Sequence, residues 1–586
     1  MSAALADQPR TATPGAPPEV QRRRRRLRAA TLPVTLLAIL AVLILAPVAL
    51  VALAAFTTDT PRPGSLGLSD FTFDNFATVI SPGSLGATWN SLKVGLCASV
   101  LALLIGGFLA FVTARTNVYG RRFLYLVGFV PMLLPSYVGA LAWSVLGGKN
   151  AGLLNITMRD LGLPGFFNIN NLPGLVLVLA LYYAPYAFLL IHGSLSLMNP
   201  DLEEAANVHG APLWRVLRKV TLPLVTPALL GSAVLIFVLT VENFPVSQMI
   251  GGAAGVDTLP TYIYRLMNST PSRGNEAAAV AIALVAVVLV VTALQRRVLA
   301  RRKFTTVSGK GMKPQRIDLG KWRLPALIAG LGYFALSTVL PVLALLFVSL
   351  HSSPYVGSVT GAFSESGAFT FETFTDVLTS SIAHQATVNS VAVSIAAALL
   401  GTVLAFVVAY VVHRTALPIT QPLEYVSMLP LAIPAIVLGL GLLWTWLIMP
   451  VPVYGTLAVM VIAFIAAQMP QGFRGVASSI VQVDRDLEDS AVMHGASRAR
   501  AITAVTAPLL RVGLTSTFLL LLMLSMRELT VPLFLFTSDT RLLSIVIFDD
   551  FDNGILQRAA TTSLLYCVVI LALSLLARRF GAKEPR

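Results

Sequence analysis

One polar pattern occurs twice in the sequence, as DLEEAANVHG at residues 201–210 and DLEDSAVMHG at residues 486–495, 285 positions apart. Each copy stands between long apolar runs rather than inside one. Helices that face lipid have little reason to keep a specific polar pattern. The repetition therefore predicts two equivalent loops that contact the same kind of partner.

Matches on both sides of these loops indicate that most of the chain is duplicated. FTFDNFATVI at residues 71–80 matches FTFETFTDVL at residues 369–378. The remaining matches are Asn90-Ser91 with Asn389-Ser390, Arg115-Thr116 with Arg414-Thr415, Pro131 and Pro135 with Pro430 and Pro434, and Pro185 with Pro470. The offset falls from 298 or 299 positions to 285, which we attribute to a longer external loop near residues 148–172.

The composition indicates that lipid surrounds most of the chain. Hydrophobic residues make up 56% of the sequence and charged residues 12%, whereas a soluble domain has about 25% charged residues. Segments of about 20 apolar residues are long enough to cross a bilayer as helices. The predicted spans are 31–56, 89–114, 123–147, 173–197, 222–248, 276–299, 324–350, 387–412, 423–448, 453–475, 508–536 and 558–579.

These spans predict an all-α integral membrane protein with about twelve transmembrane helices. Six spans per half give both halves the same orientation, so the repeat is parallel, with a pathway between the halves. The predicted divisions are a basic cytoplasmic tail 1–30, a first half 31–299, a cytoplasmic linker 300–323, a second half 324–580 and a tail 581–586. The first apolar run is longer than the 7–15 residues of a signal-peptide core, and we expect it to remain as a helix.

The basic residues predict the orientation in the cell membrane. With both termini cytoplasmic, 33 of the 42 Lys and Arg residues lie on the cytoplasmic side, as the positive-inside rule requires. The net charge of +15 then reflects topology and attraction to lipid, and we expect no nucleic-acid partner. Cys97 and Cys567 lie inside apolar runs, so we expect neither a disulfide nor a metal site.

The repeated loops resemble the EAA motif of binding-protein-dependent ABC importer permeases. The first loop fits the family pattern EAA-x3-G-x9-I-x-LP from residue 204 to 223 except that Val replaces Ile. The second loop keeps the spacing from residue 489 to 508 but has Asp for Glu, Ser for Ala, Val for Ile and Ala for Leu. The resemblance covers residues 70–580.

In that family these loops form short helices that dock onto separate ATPase subunits. The resemblance therefore implies two ABC ATPase copies and an extracytoplasmic substrate-binding protein as partners. The candidate docking residues of the first loop are Glu203, Glu204, Ala205, Ala206, Gly210, Trp214, Val220, Leu222 and Pro223. Those of the second loop are Glu488, Asp489, Ser490, Ala491, Gly495, Val505 and Pro508. We interpret His209 and His494, which precede the motif glycines, as polar helix-end residues.

The sequence contains no phosphate-binding G-x4-GK[ST] motif. We therefore expect no enzymatic activity and no cofactor in this chain, with ATP bound by the partner subunit. The fused two-half form resembles ferric iron permeases, which makes ferric iron the favoured substrate. Polyamine, phosphonate or another small solute is the alternative within the family. A secondary transporter of the major facilitator type is the alternative class, because it also has twelve spans in two parallel halves.

Charged residues and prolines inside the spans are candidates for the pathway. Glu242 and Arg527 lie at equivalent repeat positions, and Glu528 follows. Charges within a membrane usually face a cavity or form pairs, so we hypothesise that Glu242 and Arg527 interact across the interface between the halves. The proline pairs Pro131 and Pro135, and Pro430 and Pro434, are each four residues apart. They place both members of a pair on one helical face and predict broken or bent helices that face the central pathway.

Overall fold

The computed structural model describes residues 31–62, 70–198, 201–300, 316–364, 367–415 and 417–581. Helices account for nearly all regular structure in these ranges, which contain three isolated β-bridges and no strand. This confirms the all-α membrane fold. The tail 1–30, most of the linker 300–323 and all but one residue of the tail 581–586 lie outside the described residues.

Twelve spans are present in the described ranges, nine of them continuous and three bent. They are α1 Thr31–Ala55, α2 Pro82–Arg115, α3 Arg121–Leu133 with Ser136–Gly147, α4 Leu172–Leu197, α5 Trp214–Val241, α6 Gly274–Leu294, α7 Gly320–Leu350, α8 Ser381–Arg414, α9 Thr420–Ala432 with Ala435–Ile448, α10 Leu457–Ile480, α11 Arg498–Leu509 with Arg511–Met526, and α12 Leu556–Leu576. Each of the twelve predicted spans has its counterpart.

Shorter helices lie in the loops between the spans. They are Asp74–Thr78, Leu153–Asp160, Asp201–Val208, Leu259–Met267, Val359–Ala362, Glu372–Thr379, Arg485–Met493 and Leu543–Asp552. The helix Leu153–Asp160 occupies the external loop to which the change in repeat offset was attributed.

The proline pairs break α3 and α9 completely. α3 bends by 95° and α9 by 114°, since Leu134 and Ile433 adopt extended backbone (ψ 127° and 117°) directly before Pro135 and Pro434. A residue before proline is disfavoured in the helical region, which explains the position of both breaks.

The predicted bends are thus present, but the shared helical face is not. Pro131 and Pro430 lie before the break, in a 3₁₀ turn, whereas Pro135 and Pro434 cap the helix that follows. Because the break separates the members of each pair, they cannot line one continuous face. All four prolines are buried.

The ends of α5 and α11 also differ from the prediction. The helices end at Val241 and Met526, whereas the sequence predicted spans to residues 248 and 536. The chain then turns rather than continuing as a helix. α11 has a further bend of 74° near Leu510 that the apolar pattern does not reveal.

The two halves have equivalent cores and exchange their first spans. α2 packs on α4 and α5, and α8 packs on α10 and α11 in the same way. α1 packs on α9 of the second half as well as on α6, while α7 packs on α3 of the first half as well as on α12. Because α1 and α7 each pack on the opposite half, the two repeats form one membrane domain.

The repeated Asn-Ser pairs anchor one external helix in each half. Ser91 accepts a hydrogen bond from the backbone N–H of Leu259 at 2.8 Å, and Ser390 accepts one from Leu543 at 2.8 Å. The neighbouring Asn90 donates to the carbonyl oxygen of Asp257 at 3.0 Å. These bonds satisfy N–H groups at a helix start that have no partner within the helix. They fix the helices Leu259–Met267 and Leu543–Asp552 to α2 and α8.

Candidate coupling loops and translocation pathway

The first repeated loop folds into two short helices joined by a turn at Gly210. The helix Asp201–Val208 precedes the turn, and the helix Leu213–Val216 follows it and leads into α5. Gly210 has a φ of 72°, and a side chain added there would meet nothing within 4 Å. Glycine is therefore needed for the backbone conformation and not for lack of space.

Glu203 fastens this loop to the membrane domain. Its side chain is buried and forms an ion pair with the guanidinium group of Arg115 at the end of α2. The hydroxyl of Thr221, near the start of α5, donates to the other carboxylate oxygen at 2.6 Å. A buried carboxylate needs such partners, and here they tie the loop to two spans. Glu203 thus points into the base of the loop rather than toward a partner protein.

The second loop repeats this construction around Gly495 and Glu488. The helix Arg485–Met493 is followed by Gly495, whose φ is 90°. Glu488 is buried and accepts hydrogen bonds from the hydroxyl of Tyr410 in α8 and from that of Thr506, the latter at 3.0 Å. In both loops, therefore, a buried glutamate connects the loop to the second span of the half and to the start of its fifth span.

The two anchors differ in the group that comes from the early span. Arg414 stands at the repeat position of Arg115 but donates to the carbonyl oxygens of Ile480 and Val483, at 3.3 and 2.7 Å. Tyr410 replaces the guanidinium at the carboxylate. The sequence analysis noted the Arg115 and Arg414 match only as a repeat marker. The sequence did contain a signal for these anchors. A basic residue ends the matching span of each half, and the matching loop of each half contains an acidic residue.

Exposed apolar side chains lie at equivalent positions of both loops. Val208 is 85% exposed and Met493 is 87% exposed, and each ends the helix that precedes its turn. Trp214 in the first loop is 71% exposed. We call Val208, Trp214 and Met493 the loop tips. An exposed apolar residue at the same place in both loops suits contact with one kind of partner.

The histidines next to the turns are helix-end residues, as interpreted from the sequence. His209 Nδ1 lies 2.7 Å from the carbonyl oxygen of Ala205, and His494 Nδ1 lies 2.8 Å from that of Ser490. The described residues contain no group of three or more His, Cys, Asp or Glu side chains placed to hold a metal ion.

The other docking candidates lie around the turns and differ in their solvent exposure. Ala205, Leu222, Pro223, Ser490 and Pro508 are exposed, and Ala206, Val220, Asp489, Ala491 and Val505 are half-buried. The side chain of Glu204 lies outside the described part of the chain. Asp489, at the repeat position of Glu204, pairs with Arg485 and Arg498, each at 3.5 Å.

The charged pathway candidates lie where α5 and α11 end. Glu242 and Arg527 occupy the C-cap positions of these helices. Within the described residues they form no ion pair with each other, so the hypothesised contact is absent from this conformation. Glu242 instead interacts electrostatically with Glu528, whose carboxylate accepts hydrogen bonds from the N–H groups of Thr530 and Val531 at 2.9 and 3.2 Å.

Aromatic side chains join the two halves directly beyond these charges. The ring centroid of Phe548 lies 5.8 Å from that of Phe244 and 6.4 Å from that of Tyr264. Tyr264 also lies 6.3 Å from Phe534. We call Phe244, Tyr264, Phe534 and Phe548 the interhalf aromatic cluster. The sequence analysis missed it because its members do not occupy matching repeat positions.

The fold and the loops define an importer permease, and comparison with known proteins identifies the family. The model of the binding-protein-dependent transport system inner membrane component family matches residues 102–304 and 418–583. The chain belongs to this family and contains its domain twice. It is thus a multi-pass membrane permease of the ABC importer class.

Curated relatives share this class at low sequence identity. The ferric transport system permease protein FbpB of Actinobacillus pleuropneumoniae is 23% identical over 82% of this chain and 68% of its own length. The putative ferric transport system permease protein FbpB 1 of Haemophilus influenzae is 22% identical over 77% of this chain and 70% of its own length. A putative 2-aminoethylphosphonate permease, PhnV of Salmonella typhimurium, is 29% identical over 40% of this chain and 82% of its own length.

Proposed function

We propose that this chain supplies both permease halves, in one polypeptide, of an ATP-driven importer of ferric iron. The observation that carries the proposal is the pair of loops at residues 201–221 and 486–506. Each is anchored by a buried glutamate and each presents an exposed apolar residue at the same position. A loop pair of this kind suits two copies of one partner, and we infer that the partner is an ABC ATPase.

The anchors give these loops a way to transmit force. A load applied at Val208 or Met493 reaches α2 and α5, or α8 and α11, through buried hydrogen bonds rather than through a flexible chain. Movement of two docked ATPase subunits toward each other then moves the cores of both halves. ATP is bound and hydrolysed by the ATPase, and this chain supplies neither a catalytic group nor a cofactor.

The pathway runs between the two halves, and the interhalf aromatic cluster closes its outer end. The broken spans α3 and α9 and the charges Glu242, Arg527 and Glu528 lie along it. Rings that touch across the halves separate when the halves rotate apart. An extracytoplasmic binding protein delivers the substrate to this side, and both termini and the linker lie in the cytoplasm, where most basic residues are.

The relatives favour iron over the other substrates. The two ferric permeases match this chain across both halves, over 82% and 77% of its length. The 2-aminoethylphosphonate permease matches 40% of it and supports that substrate as the second candidate. The family assignment argues against the major facilitator alternative, in which the paired loops have no role.

The test is reconstitution with the ATPase and binding protein encoded beside this permease. We expect purified complexes to contain two ATPase copies per chain. Vesicles should accumulate radioactive ferric iron only with ATP and the binding protein present. Accumulation of 2-aminoethylphosphonate instead would select the second candidate. Transport without any ATPase would contradict the proposal.

A further inference from the structure

A basic cavity lies beside the inner ends of α2 and α4. Its volume is ≈ 1010 Å³. Its charged lining consists of Arg121, Arg122 and Arg316, and the imidazole of His192 lies among them. None of its lining residues is acidic. Arg121 and Arg316 are close enough to repel each other electrostatically, and His192 lies near Arg121. The protein thus holds several cationic groups together with no carboxylate in the cavity wall.

Contacts of the two residues that follow Arg316 hold it at this cavity. The neighbouring Ile317 pairs with the end of α2, since its N–H donates to the carbonyl oxygen of Arg115 at 2.8 Å. Asn117 holds the next residue by donating to Asp318 at 2.9 Å. These contacts fix the end of the linker against α2. A cation is therefore held beside Arg121 despite the repulsion, which indicates a site for an anion.

The rest of the cavity is apolar and aromatic. Phe123, Tyr125 and Leu126 line it and are 44%, 40% and 48% exposed. The ring of Tyr125 packs against that of His192, with centroids 5.0 Å apart. Thr113, near the end of α2, also lines the cavity. The cations thus stand at the level where the spans end, and the apolar side chains continue along the membrane-embedded surface.

The linker itself is a poor occupant of this cavity. Residues 301–315 contain five basic and no acidic residues, so their charge has the same sign as the cavity. An anionic phospholipid matches both parts of the site, because its phosphate suits the cations and its acyl chains suit the apolar wall. Basic pockets between spans on the cytoplasmic side bind such headgroups in other membrane proteins.

The second half shows that the repeat architecture does not require this site. The repeat positions of Arg121 and Arg122 are occupied by Thr420 and Gln421, and that of His192 by Ala477. We propose that the cavity binds an anionic phospholipid of the cytoplasmic leaflet and that only the first half has this site. The leaflet assignment rests on the orientation proposed above, whereas the binding chemistry does not.

The test measures lipid retention by native mass spectrometry of the purified chain, with phosphatidylglycerol and phosphatidylcholine as probes. We expect the wild type to retain phosphatidylglycerol preferentially. The double variant Arg122→Gln/Arg316→Gln should weaken its binding at least about tenfold, since each cation near the headgroup contributes on the order of 1 kcal/mol. Arg122→Lys/Arg316→Lys should retain most of it.

The control removes the same charge elsewhere. Arg474 and Arg511 are exposed basic residues of α10 and α11, and Arg474→Gln/Arg511→Gln should bind phosphatidylglycerol within about twofold of wild type. An equal loss in this control would overturn the proposal in favour of general charge attraction. Lack of headgroup preference in the wild type would also overturn it. Displacement of the lipid by inorganic phosphate at equal concentration would show a free-phosphate site instead.

Discussion

Arg115 and Glu203 form a buried ion pair that joins the end of the second span to the first coupling loop. In the proposed coupling mechanism, this pair transmits movement between the ATPase and the membrane domain. In the second half, the hydroxyl of Tyr410 binds the loop glutamate Glu488, and the equivalent arginine, Arg414, binds backbone carbonyl oxygens instead. The two loops are thus equivalent in position but not in the strength of their attachment.

Arg115→Met should destabilise the protein strongly, because it leaves the buried carboxylate of Glu203 without its charged partner. Removal of one member of a buried pair costs about 3–5 kcal/mol. We expect a lower melting temperature in detergent and loss of ATPase from the purified complex. The double variant Arg115→Met/Glu203→Met should recover much of the melting temperature, since it removes both charges. It does not recover the hydrogen bond from Thr221, because Glu203 is absent. No recovery in the double variant would argue against a direct pair.

Tyr410→Phe should have a smaller effect than Arg115→Met. Glu488 keeps the hydrogen bond from Thr506 and the nearby Arg498 at 3.5 Å, so one bond is lost, at a cost of about 1–3 kcal/mol. ATPase co-purification should fall partly and uptake should persist. Tyr425, which is 72% exposed, offers the matched control Tyr425→Phe. A Tyr410→Phe defect as large as that of Arg115→Met would mean that the two anchors are equally strong.

Gly210→Val and Gly495→Val should uncouple the ATPase because both glycines have positive φ. A β-branched residue is strained in this conformation by about 1–2 kcal/mol, and the helices on either side would change direction. Gly162 has a φ of 74° in an external loop and also has free space around it. Gly162→Val therefore imposes similar strain away from the loops. Equal loss of ATPase in all three variants would show that strain alone is responsible.

The sequence predicted the architecture well because lipid imposes a simple rule. A helix must satisfy its backbone within itself, so long apolar runs identified all twelve spans. The duplication identified both loops, including their glycines Gly210 and Gly495. Prolines predicted the bends of α3 and α9, but not that the helices break between the prolines, which depends on the extended backbone of Leu134 and Ile433.

Side-chain partners were less predictable, because they depend on contacts between distant segments. Glu203 was predicted as a docking residue, whereas its buried partners Arg115 and Thr221 lie in two other elements. The Glu242 and Arg527 pairing assumed that equivalent positions meet at the symmetry axis. In the described part of the structure the two residues form no ion pair, and α5 and α11 end at Val241 and Met526. Apolar composition continues past both helix ends without marking them.

Val208→Asp and Met493→Asp should block ATPase docking without lowering the stability of the free chain. Both side chains are more than four-fifths exposed, so a charge there costs little until an apolar partner surface covers it. We expect unchanged melting temperatures and at least about tenfold weaker ATPase binding by titration. Leu161→Asp, at an exposed external position, is the matched control. Normal ATPase binding by both loop variants would exclude the loop tips from the interface.

The charges at the ends of α5 and α11 differ in what holds them. Glu528 accepts two backbone hydrogen bonds and so shapes the turn that follows α11. Glu242 has no such bond among the described contacts and lies near Glu528, a second carboxyl group. A neutral side chain should therefore be tolerated at residue 242 but not at residue 528.

We accordingly expect Glu242→Gln to keep the wild-type melting temperature within a few degrees. Glu528→Leu should lower the melting temperature clearly, because the N–H groups of Thr530 and Val531 lose their acceptor. The loss of an acceptor costs about 1–3 kcal/mol for buried groups.

The charge swap Glu242→Arg/Arg527→Glu should not restore uptake lost in the single variants, since the two residues do not pair in this conformation. Uptake assays on the two single variants and the double variant provide the measurement. Recovery in the double variant would instead reveal a second conformation in which α5 and α11 approach each other and Glu242 meets Arg527.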